Sequence, residues 1–93
     1  MRTIELTGQF KRDFKREKRG PYRATLDADF EEVVTALAND RSLPARHRDH
    51  ALTGEWKDFR DCHIRPDLVL IYSRPDDDTL QLVWLGSHSE LGL

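Results

Sequence analysis

The sequence predicts an α+β domain in which two helices, both in the N-terminal half, pack on one face of a mainly antiparallel four-stranded sheet, in the order β-α-α-β-β-β. Three observations carry that expectation. Apolar residues recur at helical spacing between Leu26 and Leu37, three β-rich runs joined by short turns follow, and 93 residues make one small domain, 1–93, with no linker. Hydrophobic residues are 38% and charged residues 34%, with only five glycines and four prolines, which excludes disorder and fibrous repeats. The single cysteine, Cys62, excludes a disulfide framework and a cysteine-based zinc site, so the fold has to rest on its packed core. No apolar run approaches the ~20 residues of a membrane span. Met1-Arg2-Thr3-Ile4 opens into a polar alternating segment unlike a signal peptide, and a cytoplasmic location is expected.

Arg2 to Leu6 alternates polar and apolar residues, with Ile4 and Leu6 on one face, as a short strand would. A helix starts at Thr7 or Gly8. From Gln9 to Arg19 only Phe10 and Phe14 are apolar, so its buried stripe is narrow and its outer face is dense in Lys11, Arg12, Lys15, Arg16, Lys18 and Arg19. Gly20-Pro21 ends it. In the second helix Leu26, Phe30, Val33, Val34 and Leu37 fall on a single face, and Asp27, Asp29, Glu31 and Glu32 crowd its first half, where the helix dipole favours them. After a loop over 39–55, Trp56 to Ile64 is a polar-rich strand with aromatics, and Leu68 to Tyr72 is apolar throughout, as a central strand would be. Thr79 to Leu85 is the last strand, with Leu80, Leu82 and Trp84 expected on one face. Arg65-Pro66-Asp67 and Pro75-Asp76-Asp77-Asp78 are the turns.

A formal net charge of -2 argues against nucleic-acid binding by bulk charge, yet the charge is strongly segregated. Residues 1–23 hold eight basic and three acidic side chains, and residues 24–40 hold five acidic and none basic. Residues 41–65 hold six basic against four acidic together with three of the four histidines; residues 66–93 hold one basic against five acidic. A run such as Lys11 to Arg19 is usually a solvated face; against a dense polyanion it is also a phosphate-contacting one.

Histidine is the informative residue type, because it titrates near neutral pH and all four copies fall in loops or at strand ends. His47 and His50 precede the first hairpin, His63 closes its first strand with Asp67 across the turn, and His88 follows the last strand. Three readings compete. His50, His63, His88 and Asp67 are a metal-ligand set, although no HxH, HxxxH or HExxH spacing is present. A serine-type triad lacks its elbow, since Gly86-Ser87-His88 does not resemble GxSxG. The third is metal-independent acid/base chemistry on RNA, in which one group takes the proton of a ribose 2′-hydroxyl and another protonates the departing 5′-oxygen.

Arg48-Asp49-His50-Ala51-Leu52-Thr53-Gly54-Glu55-Trp56 and the continuation Arg60-Asp61-Cys62-His63-Ile64-Arg65-Pro66-Asp67-Leu68-Val69-Leu70-Ile71-Tyr72 look like a D-H-x-L-x-G-x-W-x-x-x-R-D-x-H-x-x-P-D segment followed by an apolar strand. Gly86-Ser87-His88-Ser89-Glu90-Leu91 is similar to a closing G-[TS]-H-x-x-L, and Thr7-Gly8-Gln9-Phe10-Lys11-Arg12-Asp13 to the start of a first helix. Together these stretches resemble the YafQ branch of the RelE-like toxins, bacterial mRNA interferases from toxin–antitoxin modules.

The resemblance implies a RelE-like domain that cuts mRNA in the ribosomal A site without a metal or other cofactor. It implies His50, His63, Asp67 and His88 as catalytic residues and a cognate antitoxin, the ribosome and mRNA as partners, the antitoxin in a hetero-oligomer. Two positions depart from the pattern: Trp84-Leu85 stand where relatives commonly place an arginine, and Gly92 replaces an aromatic. A lost charge-stabilising donor costs about 10²–10³ in rate in other enzymes; Lys57, Arg60 and Arg65 are the cations left to replace it, and Lys11, Lys15 and Arg16 the phosphate contacts on the first helix. The rival readings are a non-catalytic RNA- or protein-binding module on the same scaffold and a metal-dependent hydrolase. Trp56, Phe59 and Tyr72 read first as core residues, and Cys62 as a small strand residue rather than a nucleophile.

Overall fold

A computed structural model describes residues 1–91; the departure at Gly92 lies outside them. The chain runs β1 (Thr3–Leu6), α1 (Gly8–Glu17), α2 (Leu26–Ala38), β2 (His50–Ala51), β3 (Arg60–Arg65), β4 (Leu68–Ser73), β5 (Thr79–Gly86) and α3 (His88–Leu91), with 3-10 turns at Ala45–His47 and Gly54–Trp56. The α+β class is as expected. The sheet is not: it has five strands in the order β1-β5-β4-β3-β2 and is mixed, because β1 pairs parallel with β5. Both helices lie between β1 and the rest of the sheet in sequence, and this long crossover is the kind of connection that parallel pairing of β1 with β5 requires. The fifth strand is the two-residue β2, paired antiparallel with β3 from His50 opposite Asp61, too short to leave a periodic signal.

Helix α1 begins where its capping residue dictates: the Thr7 side chain accepts from the Phe10 amide, satisfying an amide left free by the first turn. Its hydroxyl also donates to the Val83 carbonyl at 2.7 Å, tying the start of the helix to β5. Phe10 and Phe14 pack against Phe30 of α2, with ring centroids 5.6 and 4.9 Å apart. Asp13, also on the buried side, accepts from the Leu85 amide at 3.1 Å and from the Gln9 side chain at 2.7 Å. A charged residue in the stripe thus caps an amide of β5 that has no strand beside it.

The core lies between the helices and one face of the sheet: Leu26, Val33, Val34 and Leu37 of α2 meet Cys62, Ile64, Leu68, Leu70, Tyr72, Leu80, Leu82 and Leu85. Strand β4 is buried along its whole length, as its position at the centre of the sheet requires. One register shift matters for everything that follows. Tyr72 lies opposite Leu82 but Ile71 lies opposite Trp84, so β5 carries one extra residue. This bulge reverses the alternation, sending Leu85 into the core and Trp84 to the face without helices. The expectation that Trp84 shares a face with Leu80 and Leu82 is therefore corrected. Trp56 and Phe59 likewise precede β3 instead of belonging to it, in a segment closed by a 3-10 turn with Gly54 at φ 66°, a conformation that favours glycine.

Candidate active site on the open sheet face

Alternation along β3 places Asp61 and His63 on the open face, while Cys62 and Ile64 enter the core. His63 is not at a strand end but inside β3, buried to 6% exposure. A carbonyl only accepts, so the contact of His63 Nδ1 with the Pro66 carbonyl at 3.1 Å assigns the proton to Nδ1 and leaves Nε2 as an acceptor. That Nε2 faces His88 Nε2 at 3.1 Å, so with His63 in this tautomer it is His88 that donates across the pair. The His63 carbonyl in turn accepts from buried His47 at 2.6 Å, which gives the fourth histidine a supporting place behind the pair. His88 owes its position to α3, a single turn the sequence does not announce. Arg16 anchors that turn, approaching Glu90 at 3.1 Å and donating to the Leu85 carbonyl at 3.0 Å.

His50 enters from β2. Its Nδ1 donates to the Arg48 carbonyl at 2.7 Å, which leaves Nε2 available for proton transfer. The same Nδ1 lies 3.0 Å from Asp61 Oδ1, and that oxygen, buried, has no aligned hydrogen-bond donor; the contact is coulombic. Asp61 is 2% exposed. Burial raises its carboxyl above the usual carboxylate range, against the pull of His50, His63 and His88 and with some help from Asp49. A buried carboxyl group among three imidazoles is the candidate residue that motif reading missed. Its signal was there, because a residue two positions before His63 in a strand shares its face.

Asp67 stands exposed on the β3–β4 turn, directly after the carbonyl that holds His63, and makes no hydrogen bond or ion pair with another described side chain. The structure therefore joins His63 to His88 directly and His50 to Asp61 beside them, while Asp67 is at the rim. The candidate cations divide similarly. Lys11, Lys15 and Lys57 are exposed. Arg16 is engaged by Asp13, Glu17 and Glu90. Arg65 Nε lies 2.7 Å from Asp29 Oδ2, misaligned for a hydrogen bond, and its Nη2 donates to Thr25 at 2.9 Å. Arg60 points toward the helix side, where Tyr72 donates to Asp49 at 2.5 Å and Arg60 approaches both at 3.3 Å. Tyr72 is a core residue whose hydroxyl is satisfied. Cys62 is wholly buried and its thiol is pushed far up by desolvation, which removes it as a nucleophile.

Two helices backing a mixed sheet, with a histidine cluster on the opposite face, agree with the RelE-like architecture that the sequence resemblance implies. Residues 2–92 match the family described as bacterial toxin of type II toxin-antitoxin system, YafQ. The chain belongs to that family. It is 38% identical over 92 residues to the mRNA interferase toxin YafQ of Escherichia coli K12, covering 97% of this chain and 95% of that protein. Among solved structures it resembles the E. coli DinJ–YafQ complex, with a TM-score of 0.83 and 36% identity over 98% of each chain. A copper-bound mutant toxin from Helicobacter pylori is similar at a TM-score of 0.89 and 41% identity over 98% and 99% of the two chains. Among the described residues no helix is long and apolar enough to cross a membrane.

Proposed function

We propose that this chain is one toxin domain that cuts mRNA in the ribosomal A site by metal-independent acid/base chemistry, with His50, His63, Asp67 and His88 as its catalytic residues. The carrying observation is the arrangement of imidazole nitrogens: His63 Nε2 and His88 Nε2 face each other at 3.1 Å, and His50 has Nδ1 committed and Nε2 open. Such a set serves both halves of the reaction. One imidazole takes the 2′-hydroxyl proton as the oxygen attacks phosphorus. The P–O5′ bond breaks, and a second group gives its proton to the departing oxygen, leaving a 2′,3′-cyclic phosphate and a free 5′-hydroxyl. Asp61 acts through His50, favouring the imidazolium that forms when His50 takes a proton, and Lys57 is the cation open to the developing phosphate charge.

Ribosomal RNA is the partner for the exposed Lys11 and Lys15 of α1, and an antitoxin, by likeness to the DinJ–YafQ complex, neutralises the chain. The deciding experiment presents purified protein to programmed ribosomes with EDTA present. Cuts in the A-site codon, abolished in His88→Ala, support the reading; unchanged cutting by His88→Ala overturns it.

A second reading concerns metal. A relative is copper-bound, and His63 and His88 Nε2, 3.1 Å apart, could both reach one ion, although among the described residues no group of three or more histidine, cysteine or acidic side chains could hold a metal. A copper ion there would occupy the nitrogens that move protons, and is expected to inhibit. Activity lost with EDTA would instead favour a metal-dependent hydrolase.

A further inference from the structure

The bulge in β5 brings to the open face a residue that the catalytic reading does not use. Trp84 stands in the last strand opposite Ile71, in the same cross-strand row as Asp61. The next row toward the end of the sheet runs His63, Val69, Gly86. Rows two residues apart along a strand are separated by about 6.6 Å and neighbouring strands by about 4.8 Å, so Trp84 stands one row along and two strands across from His63, on the strand that leads through Gly86 to His88. It is half-exposed, and so are its aromatic neighbours: Trp56 lies 4.8 Å away, centroid to centroid, and Phe59 lies 5.2 Å beyond Trp56. On its other side, Trp84 lines a cavity of about 240 Å³ together with Gln9, Asp13, Arg16, Leu85, Glu90 and Leu91. That is space for roughly eight waters, bounded by an aromatic face and by amide, guanidinium and carboxylate groups of both hydrogen-bonding polarities.

Resting on the proposed function, we infer that this cleft is a nucleobase subsite: Trp84 stacks on the base of an mRNA nucleotide adjacent to the cleaved phosphate, while Gln9, Arg16 and Glu90, already paired with Asp13 and with one another, form the wall opposite the indole. An indole supplies no charge to a phosphate, but it offers a large, rigid and sequence-tolerant surface to a base. The chain would then hold its substrate at the reacting phosphate by gripping the adjacent base. Purines, with the larger stacking surface, are expected to bind better than pyrimidines.

Two measurements test this. The first is fluorescence anisotropy of a labelled RNA tetranucleotide carrying a 2′-deoxy sugar at the scissile position, beside the same oligonucleotide with one base removed. Wild-type protein is expected to bind the intact oligonucleotide about tenfold more tightly than the abasic one. Trp84→Leu should erase that difference and Trp84→Phe should keep most of it. Equal affinity of the wild type for both oligonucleotides, or a difference that survives in Trp84→Leu, overturns the proposal. If Trp84→Leu does not fold, as judged by circular dichroism, the abasic comparison in wild type and in Trp84→Phe decides alone. The second is ribosome-dependent cleavage, where Trp84→Leu should raise KM about tenfold and broaden the choice of cut sites with a smaller change in kcat. Wild-type protein that cuts no mRNA would show that the nuclease reading has failed; the anisotropy result still rules on the base subsite.

Discussion

The two faces of the sheet are built from the same strands and do opposite work. Toward the helices, Cys62, Ile64, Leu70, Tyr72, Leu82 and Leu85 form a dry core with α1 and α2. Away from them, the intervening residues Asp61, His63 and Trp84 carry polar and aromatic chemistry, with Val69 and Ile71 as an apolar floor that is nonetheless wholly buried. The lesson is one of economy in a chain this short. Period-two alternation lets four consecutive residues of β3, Asp61 to Ile64, contribute to the core and to the candidate site at once, and the strand backbone fixes the spacing between the candidate side chains more tightly than a loop would.

If the two faces are separable, a substitution on one should leave the other's property nearly intact. His88→Ala should give the largest activity effect: a loss of about 10²–10⁴ in ribosome-dependent cleavage, the range for removing a proton-transfer group, with a melting temperature close to wild type. On the opposite face, Leu70→Ala should lower unfolding free energy by about 2–5 kcal/mol in a chemical denaturation experiment. Folded Leu70→Ala, assayed below its melting temperature, should keep wild-type cleavage per native molecule. A His88→Ala protein as unstable as Leu70→Ala would break the comparison.

Asp61 is the sharper case because it is buried like a core residue but lies on the chemical face. Its folded carboxyl is raised by burial, so the native state holds its proton to higher pH than the unfolded chain, whose value is about 3.9. Stability from this group is therefore fully present below that value and is lost as pH rises through the folded one. Asp61→Asn should remove this component of the pH dependence and equal or exceed wild-type stability at pH 7 in thermal melts. Cleavage should fall, by less than in His88→Ala, and the pH–rate profile should move as His50 loses a carboxylate neighbour. An unchanged profile would reduce Asp61 to a structural residue. The smallest effect belongs to the Arg16–Glu90 pair, whose partners are both about half exposed. Glu90→Gln should cost at most about 1 kcal/mol, and a disproportionate drop in cleavage would show that α3 needs this tie to aim His88.

Helix α2 was legible because five apolar residues on one stripe admit a single amphipathic reading, and β4 because an unbroken apolar run has to be buried on both sides. The site was half legible. His63 and Asp67 flank a turn readable from Arg65-Pro66-Asp67, whereas the meeting of His63 with His88 depends on a short α3 held by Arg16, some seventy residues away in the chain. Asp61 was readable by alternation with His63 but sits in no motif spacing that singles it out.

By itself the sequence determined the class of fold, the buried stripe of α2, the central place of β4 and the residue types available for proton transfer, because these follow from local periodicity and side-chain chemistry. Tertiary structure alone decided that β1 runs parallel beside β5, that Trp84 leaves the core for the open face, and that Asp61 lies within 3.0 Å of His50. Each of these turns on pairing between distant segments and on a one-residue bulge, and a single extra residue exchanges the two faces of a strand.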